Sequence, residues 1–81
     1  MSGENNVKLF VGAGKKAGIR PADLVGAITG EAGVTSKSLG AIEIADNFSL
    51  VEVPESLADG IIAALKAAMI RGKKVSVRRQ G

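Results

Sequence analysis

The stretch LGAIEIADNFSLVEV, residues 39–53, contains two alternating apolar and polar runs separated by a pair of turn-forming residues. Side chains alternate between the two faces of a strand, so each run is typical of a strand with one buried face. Asp46 and Asn47 between the runs favour a tight turn. The stretch therefore predicts a β-hairpin, with strands over 39–45 and 48–53.

A helix is predicted on each side of this hairpin. The first covers residues 21 to about 32, where a proline suits the first turn, Asp23 complements the positive end of the helix, and Gly33 favours an end. The second covers residues 55 to about 70, because its apolar residues recur with a period near 3.6. Gly72 is expected to stop that helix.

Two short strands complete a βαββαβ pattern, one over 7–12 and one over 74–78. Two helices and four short strands suit a two-layer α+β domain, most simply a ferredoxin-like sandwich with an antiparallel sheet in the order 4-1-3-2. The helices would cover one face of this sheet and leave the other open. We expect residues 7–79 to form the domain, 1–6 to be a disordered tail or a vector-derived remnant, and 80–81 to be a C-terminal tail.

The composition excludes most catalytic and metal chemistry. The 81-residue chain has no Cys and no His, and so it lacks a thiolate nucleophile, an imidazole base and the usual ligands of zinc or haem. We expect no catalytic residue, no metal site, no cofactor and no small-molecule substrate. No signal peptide is present, and no apolar run approaches about 18 residues, since Lys66 interrupts IIAALKAAMI. These features predict a soluble, cytoplasmic protein that does not bind membranes.

The stretch FVGAGKKAGIRP, residues 10–21, resembles a phosphate-binding loop but fails both common templates. A Walker loop needs a glycine where this chain has Leu9 and a Ser or Thr where it has Lys16. A dinucleotide fingerprint needs a glycine where it has Ala17. What remains is a flexible, basic turn at a helix start, whose dipole favours anions. Such a turn can hold an anion without doing chemistry on it.

Charged residues are unevenly distributed along the chain: both ends are basic and the middle is acidic. In the predicted topology, the loop after the first strand and the loop before the last strand share one end of the sheet. The separated cations would then form one patch, with the acidic residues on the far hairpin and elsewhere. The predicted patch comprises Lys15, Lys16, Arg20, Arg71, Lys73 and Lys74.

The strand pleat places the only two aromatic residues of the chain on the open face of the predicted sheet. If the valines and Leu9 of the strands point to the helices, the intervening residues point outward. Those residues are Lys8, Phe10, Phe48, Leu50, Glu52, Lys74, Ser76 and Arg78. Aromatic rings beside cations are typical of RNA-recognition sheets, where rings stack on bases and cations hold phosphates.

The motifs also carry a family resemblance. LFVGAG resembles the first-strand ribonucleoprotein motif of RNA-recognition domains, and DNFSLVEV a degenerate third-strand motif. The series GKKAGIRPADLVGAI, LGAIEI, DNFSLVEV and RGKKVSV resembles the RRM-like, C-terminal RNA-binding domain of bacterial DEAD-box RNA helicases of the DbpA and DeaD (CsdA) group. The likeness covers Val7 to about Arg79.

The resemblance implies an RNA-binding module that anchors an ATP-driven helicase core to structured RNA, with ribosomal RNA as a target class. ATP and Mg²⁺ would belong to that core, which this sequence does not contain, and the module itself would not be an enzyme. By position, Phe10 matches the first-strand aromatic, and Leu50 stands where some members have a ring. The predicted RNA-binding residues are Lys8, Phe10, Lys15, Lys16, Arg20, Phe48, Leu50, Lys73, Lys74 and Arg78.

Other interpretations remain open at this point. A ferredoxin-like interaction domain could dock an acidic protein or pair its open face in a homodimer, and two exposed phenylalanines would serve that too. A phosphate-handling enzyme would use the basic loop but lacks an acid or base candidate. Phe10 and Phe48 would be ordinary core residues if the strand registers were shifted by one. Independently of the register, the C-terminal cations could be solvated charge that protects an edge strand from pairing; they are Lys73, Lys74, Arg78 and Arg79.

Overall fold

The computed structural model describes residues 5–70 and 72–80. Two helices pack on one face of a four-stranded antiparallel sheet. The elements are β1 (Asn6–Val11), α1 (Pro21–Ala32), β2 (Ile42–Ile44), β3 (Ser49–Pro54), α2 (Glu55–Ala67) and β4 (Val77–Arg79). The strand order β2-β3-β1-β4 is the predicted 4-1-3-2 order and confirms the ferredoxin-like fold. None of the helices in the described residues is long and apolar enough to cross a membrane.

The core lies between the sheet and the helices, and it confirms the predicted faces of β1 and β3. Leu9 and Val11 of β1 are fully buried, whereas Lys8 is exposed and Phe10 is half-buried on the open face. Fully burying one Leu, Ile or Val side chain stabilises a fold by about 1.5–3 kcal/mol. The other core side chains with no exposed surface come from β3 and both helices: Val51, Val53, Leu24, Ile28, Ala58, Ile61 and Leu65.

Helix α2 ends earlier than its apolar pattern predicts, at Ala67 rather than near Ile70. A helical continuation would place Ile70 about 140° around the axis from Leu65, and so away from the core. The chain instead becomes extended at Ala68, and Ile70 is buried. The prediction that Gly72 stops the helix is therefore wrong. Gly72 has a φ of 77° and lies in the turn that joins Ile70 to its bridge partner Lys73.

The outer strands are shorter than predicted. Regular pairing in β2 covers only 42–44 of the predicted 39–45, although the amide of Gly40 donates to the carbonyl of Glu52 at 2.7 Å. Strand β4 begins at Val77, which pairs with Val11, rather than at residue 74. Edge strands have one neighbour only, and so fewer ladder bonds extend them.

Both described ends of the chain lie at the same end of the sheet. The carbonyl of Asn5 accepts a hydrogen bond of 2.9 Å from the amide of Glu55, and the amide of Gln80 donates to the carbonyl of Lys8 at 2.8 Å. Asn6 already belongs to β1. Residues 1–4 and 81 lie outside the described residues, so the bounds of the predicted tails stay predictions.

Candidate nucleic-acid interface

Three segments meet at the opposite end of the sheet and enclose a cleft of about 340 Å³, which we call the loop cleft. They are the loop between β1 and α1, the turn between β2 and β3, and the segment between α2 and β4. Three cations line the loop cleft: Lys16, Lys73 and Lys74. Asp46 and Asn47 line it at the hairpin turn. The remaining lining is mainly glycine and apolar, and includes Ala13, Ile19, Ile70 and Val75.

The loop after β1 is tied to the hairpin turn through the backbone. The amide of Lys15 donates to the carbonyl of Ala45 at 2.8 Å, and the amide of Lys16 donates to the carbonyl of Asp46 at 2.9 Å. The polypeptide carrying two predicted phosphate-binding lysines is therefore fixed by hydrogen bonds to a different part of the fold. The mouth of the loop cleft is built by the fold and does not depend on a bound ligand.

Two small residues allow this close approach. Ser49 is fully buried at the start of β3, and its Oγ donates to the carbonyl of Ala13 at 2.6 Å. Gly14 is also buried, and a Cβ built on it would overlap the carbonyl oxygen of Ala45 and lie 2.8 Å from the amide nitrogen of Phe48. A glycine is therefore needed here for space, since heavy atoms pack no closer than ordinary van der Waals contact.

The structure brings together only part of the predicted basic patch. Lys16, from one end of the chain, meets Lys73 and Lys74, from the other, in the loop cleft. Lys15 and Arg20 are exposed nearby but do not line it. Arg71, the sixth member of the predicted patch, lies outside the described residues.

The prediction that acidic residues lie away from the patch is wrong at Asp46. Strand β3 is antiparallel to both β1 and β2, and so β2 runs parallel to β1. The turn that follows β2 therefore falls at the same end of the sheet as the loop that follows β1. This geometry puts Asp46 among the residues that line the loop cleft, together with Lys16, Lys73 and Lys74.

The start of α1 is not an open anion site. The carboxylate of Asp23, three residues into the helix, accepts a hydrogen bond of 2.9 Å from the amide of Arg20. A negative charge already faces the positive end of the helix dipole. The expected contribution of this helix start to anion binding is therefore not supported, and the lysine side chains carry the positive charge at this end.

The two phenylalanines lie on the open face and stack on one another. The ring centroids of Phe10 and Phe48 are 5.5 Å apart with an interplanar angle of 15°. Arg78 is the β4 neighbour of Phe10, and its guanidinium carbon lies 4.9 Å from the centre of the Phe10 ring. Phe48 is 37% exposed. The interpretation of these rings as core residues is therefore wrong.

The open face is divided by charge. Across the sheet, Glu43 lies opposite Leu50, and Leu50 lies opposite Phe10. Glu52 lies opposite Lys8, and one of its carboxylate oxygens accepts a hydrogen bond from the amide of Ala41 at 3.3 Å. The β2 side of the face is therefore acidic, and the side formed by β1 and β4 carries Lys8, Phe10 and Arg78. A polyanion is favoured on the β1 and β4 side.

Arg79 lies on the helix side of β4 and forms ion pairs there. Its guanidinium is 3.1 Å from a carboxylate oxygen of Asp59 and 4.0 Å from one of Glu55. Sequence reasoning grouped Arg79 with the other C-terminal cations. Two signals in the sequence could have distinguished Arg79 from those cations. Strand alternation puts it on the face opposite Arg78, and Glu55 and Asp59 lie four residues apart on one side of α2.

Among residues 5–70 and 72–80, no cluster of acidic side chains is arranged to hold a metal ion. An antiparallel four-stranded sheet in this order, covered by two helices on one face and carrying aromatic rings on the other, is the arrangement of RRM-like domains. A family model described as the DbpA RNA binding domain matches residues 8–79. The chain belongs to this family of RNA-binding domains.

Similar proteins include several full-length helicases. The chain is 34% identical over 73 residues to the ATP-dependent RNA helicase DbpA of Bacillus subtilis. This match covers 90% of this chain and 15% of that protein. It is 34% identical over 70 residues to ATP-dependent RNA helicase DbpA of Escherichia coli, covering 86% of this chain and 15% of that protein. It is 37% identical over 68 residues to the ATP-dependent RNA helicase DeaD of Mycobacterium tuberculosis H37Rv; this match covers 84% of this chain and 12% of that protein.

The chain therefore spans about 15% of the length of the DbpA relatives it matches. It corresponds to an accessory RNA-binding domain and not to the ATP-hydrolysing part of such a protein. Membership of an RNA-binding family does not favour the alternative of a domain that docks an acidic protein.

Proposed function

We propose that this domain anchors an ATP-dependent RNA helicase core to structured RNA, and that the loop cleft is its main contact with the RNA backbone. The relatives that support the helicase role are bacterial proteins described as ATP-dependent RNA helicases. In such a protein ATP and Mg²⁺ act in the core, and this domain needs neither. Ribosomal RNA is the target class that the resemblance implies, and the cytoplasm is the location expected from the sequence.

One observation carries the proposal: Lys16, Lys73 and Lys74 converge on one cleft from the two ends of the chain. Among the described residues none of the three forms an ion pair. Each is therefore free to neutralise a phosphate, and each neutralised phosphate releases condensed counterions into solution. Binding to such a surface weakens as salt is raised, with a slope that reports the number of phosphates contacted.

The test is the salt dependence of binding to a folded RNA hairpin, measured by fluorescence anisotropy at several KCl concentrations. Each phosphate contact contributes about 0.7–0.9 to the slope of log affinity against log salt. The double variant Lys16→Ala with Lys73→Ala is expected to flatten the slope by about 1.5. Its affinity should fall by the same factor for hairpins of different sequence, because phosphate contacts position the protein without reading bases.

Lys37→Ala is the matched control. Lys37 is exposed in the short 3-10 turn Ser36–Ser38, which joins α1 to β2. This turn lies at the end of the sheet opposite the loop cleft. The substitution removes one cation and should leave the slope unchanged. A double variant that keeps the wild-type affinity and slope would place the backbone contact elsewhere. Absence of binding by the wild-type domain to every folded RNA at low salt would refute the proposed function itself.

A further inference from the structure

We propose that the outer edge of β2 is a docking site for a protein partner, and that the partner is an extended, basic peptide segment that adds a further strand to the sheet. This edge is separate from the loop cleft and from the cations of β1 and β4, so the proposal does not depend on the proposed RNA contact. Three features of β2 support it: its free backbone groups, its apolar side chains and its negative charge.

The backbone groups of Ile42 and Ile44 point away from the sheet. Within the described residues β2 pairs with β3 alone and forms one edge of the sheet. Next to the turn, the amide of Ala45 donates to the carbonyl of Phe48 at 2.8 Å. Hydrogen-bonded and non-hydrogen-bonded pairs alternate along an antiparallel ladder, so Glu43 is the next residue of β2 that bonds to β3. The N–H and C=O groups of the two isoleucines therefore face the open edge.

The opposite edge of the sheet, formed by β4, is less accessible. The amide of Gly12 donates to the carbonyl of Ser76 at 2.8 Å, so by the same alternation Val77 and Arg79 point their backbone groups outward. Val77 is only 3% exposed, backbone included, and its outward groups are therefore largely covered. The exposed side chains of β4 are cationic, and charged side chains protect an edge strand from pairing. A further strand is thus favoured at β2.

The side chains of β2 suit the addition of a strand. Ile42 and Ile44 are β-branched, which favours strands, and they are half-buried on the helix side, where they pack against the core. The strand contains neither lysine nor proline, the residues that often prevent pairing at an edge. Apolar side chains of a partner, placed beside the two isoleucines, would cover the surface that they leave exposed.

The negative charge of this edge selects a basic partner. Glu43 is exposed on the open face between the two isoleucines, and Glu52 lies on the same face of β3. Among residues 5–70 and 72–80, neither carboxylate forms an ion pair. A partner residue opposite Glu43 stands in a non-hydrogen-bonded pair, where side chains approach most closely. A lysine or arginine there is attracted, and an acidic residue is repelled.

The same charge argues against the other candidate occupants. RNA phosphates are repelled by Glu43 and Glu52. A second copy of this chain, paired β2 against β2 in the antiparallel register that uses all the outward groups of Ile42 and Ile44, would bring the two Glu43 carboxylates directly opposite each other. Like charges in such a pair are destabilising.

The start of β2 is already held in an extended conformation. The amide of Gly40 donates to the carbonyl of Glu52 at 2.7 Å, and the amide of Ala41 donates to a carboxylate oxygen of the same residue at 3.3 Å. An edge that is ordered before binding loses little freedom when a partner pairs with it. In strand addition the main-chain hydrogen bonds supply affinity, and alternate side chains supply specificity.

The probe is a peptide of about seven residues, an ordinary strand length, with blocked ends and alternating valine and lysine. It should pair antiparallel to β2, as every neighbouring pair of strands in this sheet does, with its valines beside the isoleucines and a lysine opposite Glu43. In amide NMR titrations the signals of Ile42 and Ile44 should shift most and gain protection from hydrogen exchange. A peptide with glutamate in place of lysine should bind about tenfold more weakly, because attraction becomes repulsion.

Two N-methylated forms of the probe separate strand pairing from simple charge attraction. Methyl groups on the valine amides remove the donors that face Ile42 and Ile44, and this form should not bind. Methyl groups on the lysine amides face away from β2 in the antiparallel register, and this form should bind as the probe does. Equal binding of the two forms by the wild-type domain would overturn the proposal.

Glu43→Lys tests the charge of the edge, and this variant should prefer the glutamate peptide to the lysine peptide. Glu31→Lys is the matched control: Glu31 is exposed on α1, in the helical layer on the other face of the sheet, and the variant should keep the preference for lysine. An unchanged preference in Glu43→Lys, or largest shifts away from β2, would overturn the proposal. So would shifts of the β2 amides that grow with domain concentration alone, since a second copy would then be the occupant. No measurement here contains RNA, and the result leaves the proposed function untouched.

Discussion

At the scale of single residues, Arg78 and Arg79 show how a strand separates neighbours of identical chemistry. Arg78 lies on the open face, with its guanidinium carbon 4.9 Å from the centre of the Phe10 ring. Arg79 lies on the other face, where Asp59 and Glu55 neutralise it. An exposed cation on an aromatic ring gains about 0.5–1 kcal/mol and keeps its charge available to a ligand.

We expect Arg78→Ala to weaken binding of a folded RNA and to flatten its salt slope by about 0.8, the contribution of one phosphate contact. Arg79→Ala should leave the affinity and the slope close to wild type, because its charge is already paired. The exposed ion pairs of Arg79 contribute less than about 1 kcal/mol to stability. Anisotropy titrations and urea unfolding of both variants check this. Equal losses of affinity would mean that net charge alone matters, and would contradict the assignment of faces.

At the scale of elements, the β1–α1 loop and the β2–β3 turn act as one unit. Two backbone hydrogen bonds and the buried bond from Ser49 to the carbonyl of Ala13 join them. The loop cleft is therefore stabilised by the same contacts that stabilise the sheet, and its shape should be lost only when the hairpin is disturbed.

Two glycine substitutions test this dependence. A methyl group at Gly14 overlaps the carbonyl oxygen of Ala45, whereas one at Gly26 in α1 meets nothing within 4 Å. We expect Gly14→Ala to destabilise the domain by about 1–3 kcal/mol, as overpacking does, and to weaken RNA binding. Gly26→Ala should stabilise it by about 0.5–1 kcal/mol through the higher helix propensity of alanine. Urea unfolding measures both, and a neutral Gly14→Ala would show that the loop can move aside.

The sequence predicted those elements whose pattern is local. Pro21, Asp23 and Gly33 mark the bounds of α1, and alternation assigned the faces of β1 and β3. The end of α2 was predicted too late because Ile70 is apolar and fits the end of a helical pattern. Ile70 is in fact buried because the chain is extended from Ala68 onward, and the helical period of the sequence does not show this change. The presence of Asp46 in the loop cleft was missed because it depends on which end of the sheet the turn reaches, a property of the topology.

At the scale of the whole molecule, the open face offers little stacking surface to a long single strand. Phe10 is engaged by Phe48 and by Arg78, and the neighbouring position on β3 is Leu50. Stacking on an aromatic side chain is worth about 1–3 kcal/mol per base, and here only Phe48 presents a substantial free ring surface. The negative charge of Glu43 and Glu52 on the β2 side of the face repels a polyanion.

We therefore expect a poly-pyrimidine strand to bind about tenfold more weakly than a hairpin of the same length, the difference that about one missing stacking contact makes. The hairpin should have a pyrimidine-only loop, so that the two RNAs present the same kind of unpaired base. Competition in anisotropy titrations at one salt concentration measures the ratio. Equal affinities would show that the open face is a better single-strand platform than its contacts indicate.

The position of the described chain ends has a mechanical consequence. Asn5 and Gln80 lie at the end of the sheet opposite the loop cleft, so a polypeptide joined there and an RNA held in the loop cleft would pull the domain from its two ends. Such tension would run along β1, whose hydrogen bonds to β3 and β4 are perpendicular to that direction. The bonds would be loaded together, in shear, and not opened one after another. A pull between the described chain ends and the loop cleft would therefore be resisted by all the hydrogen bonds of β1 at once.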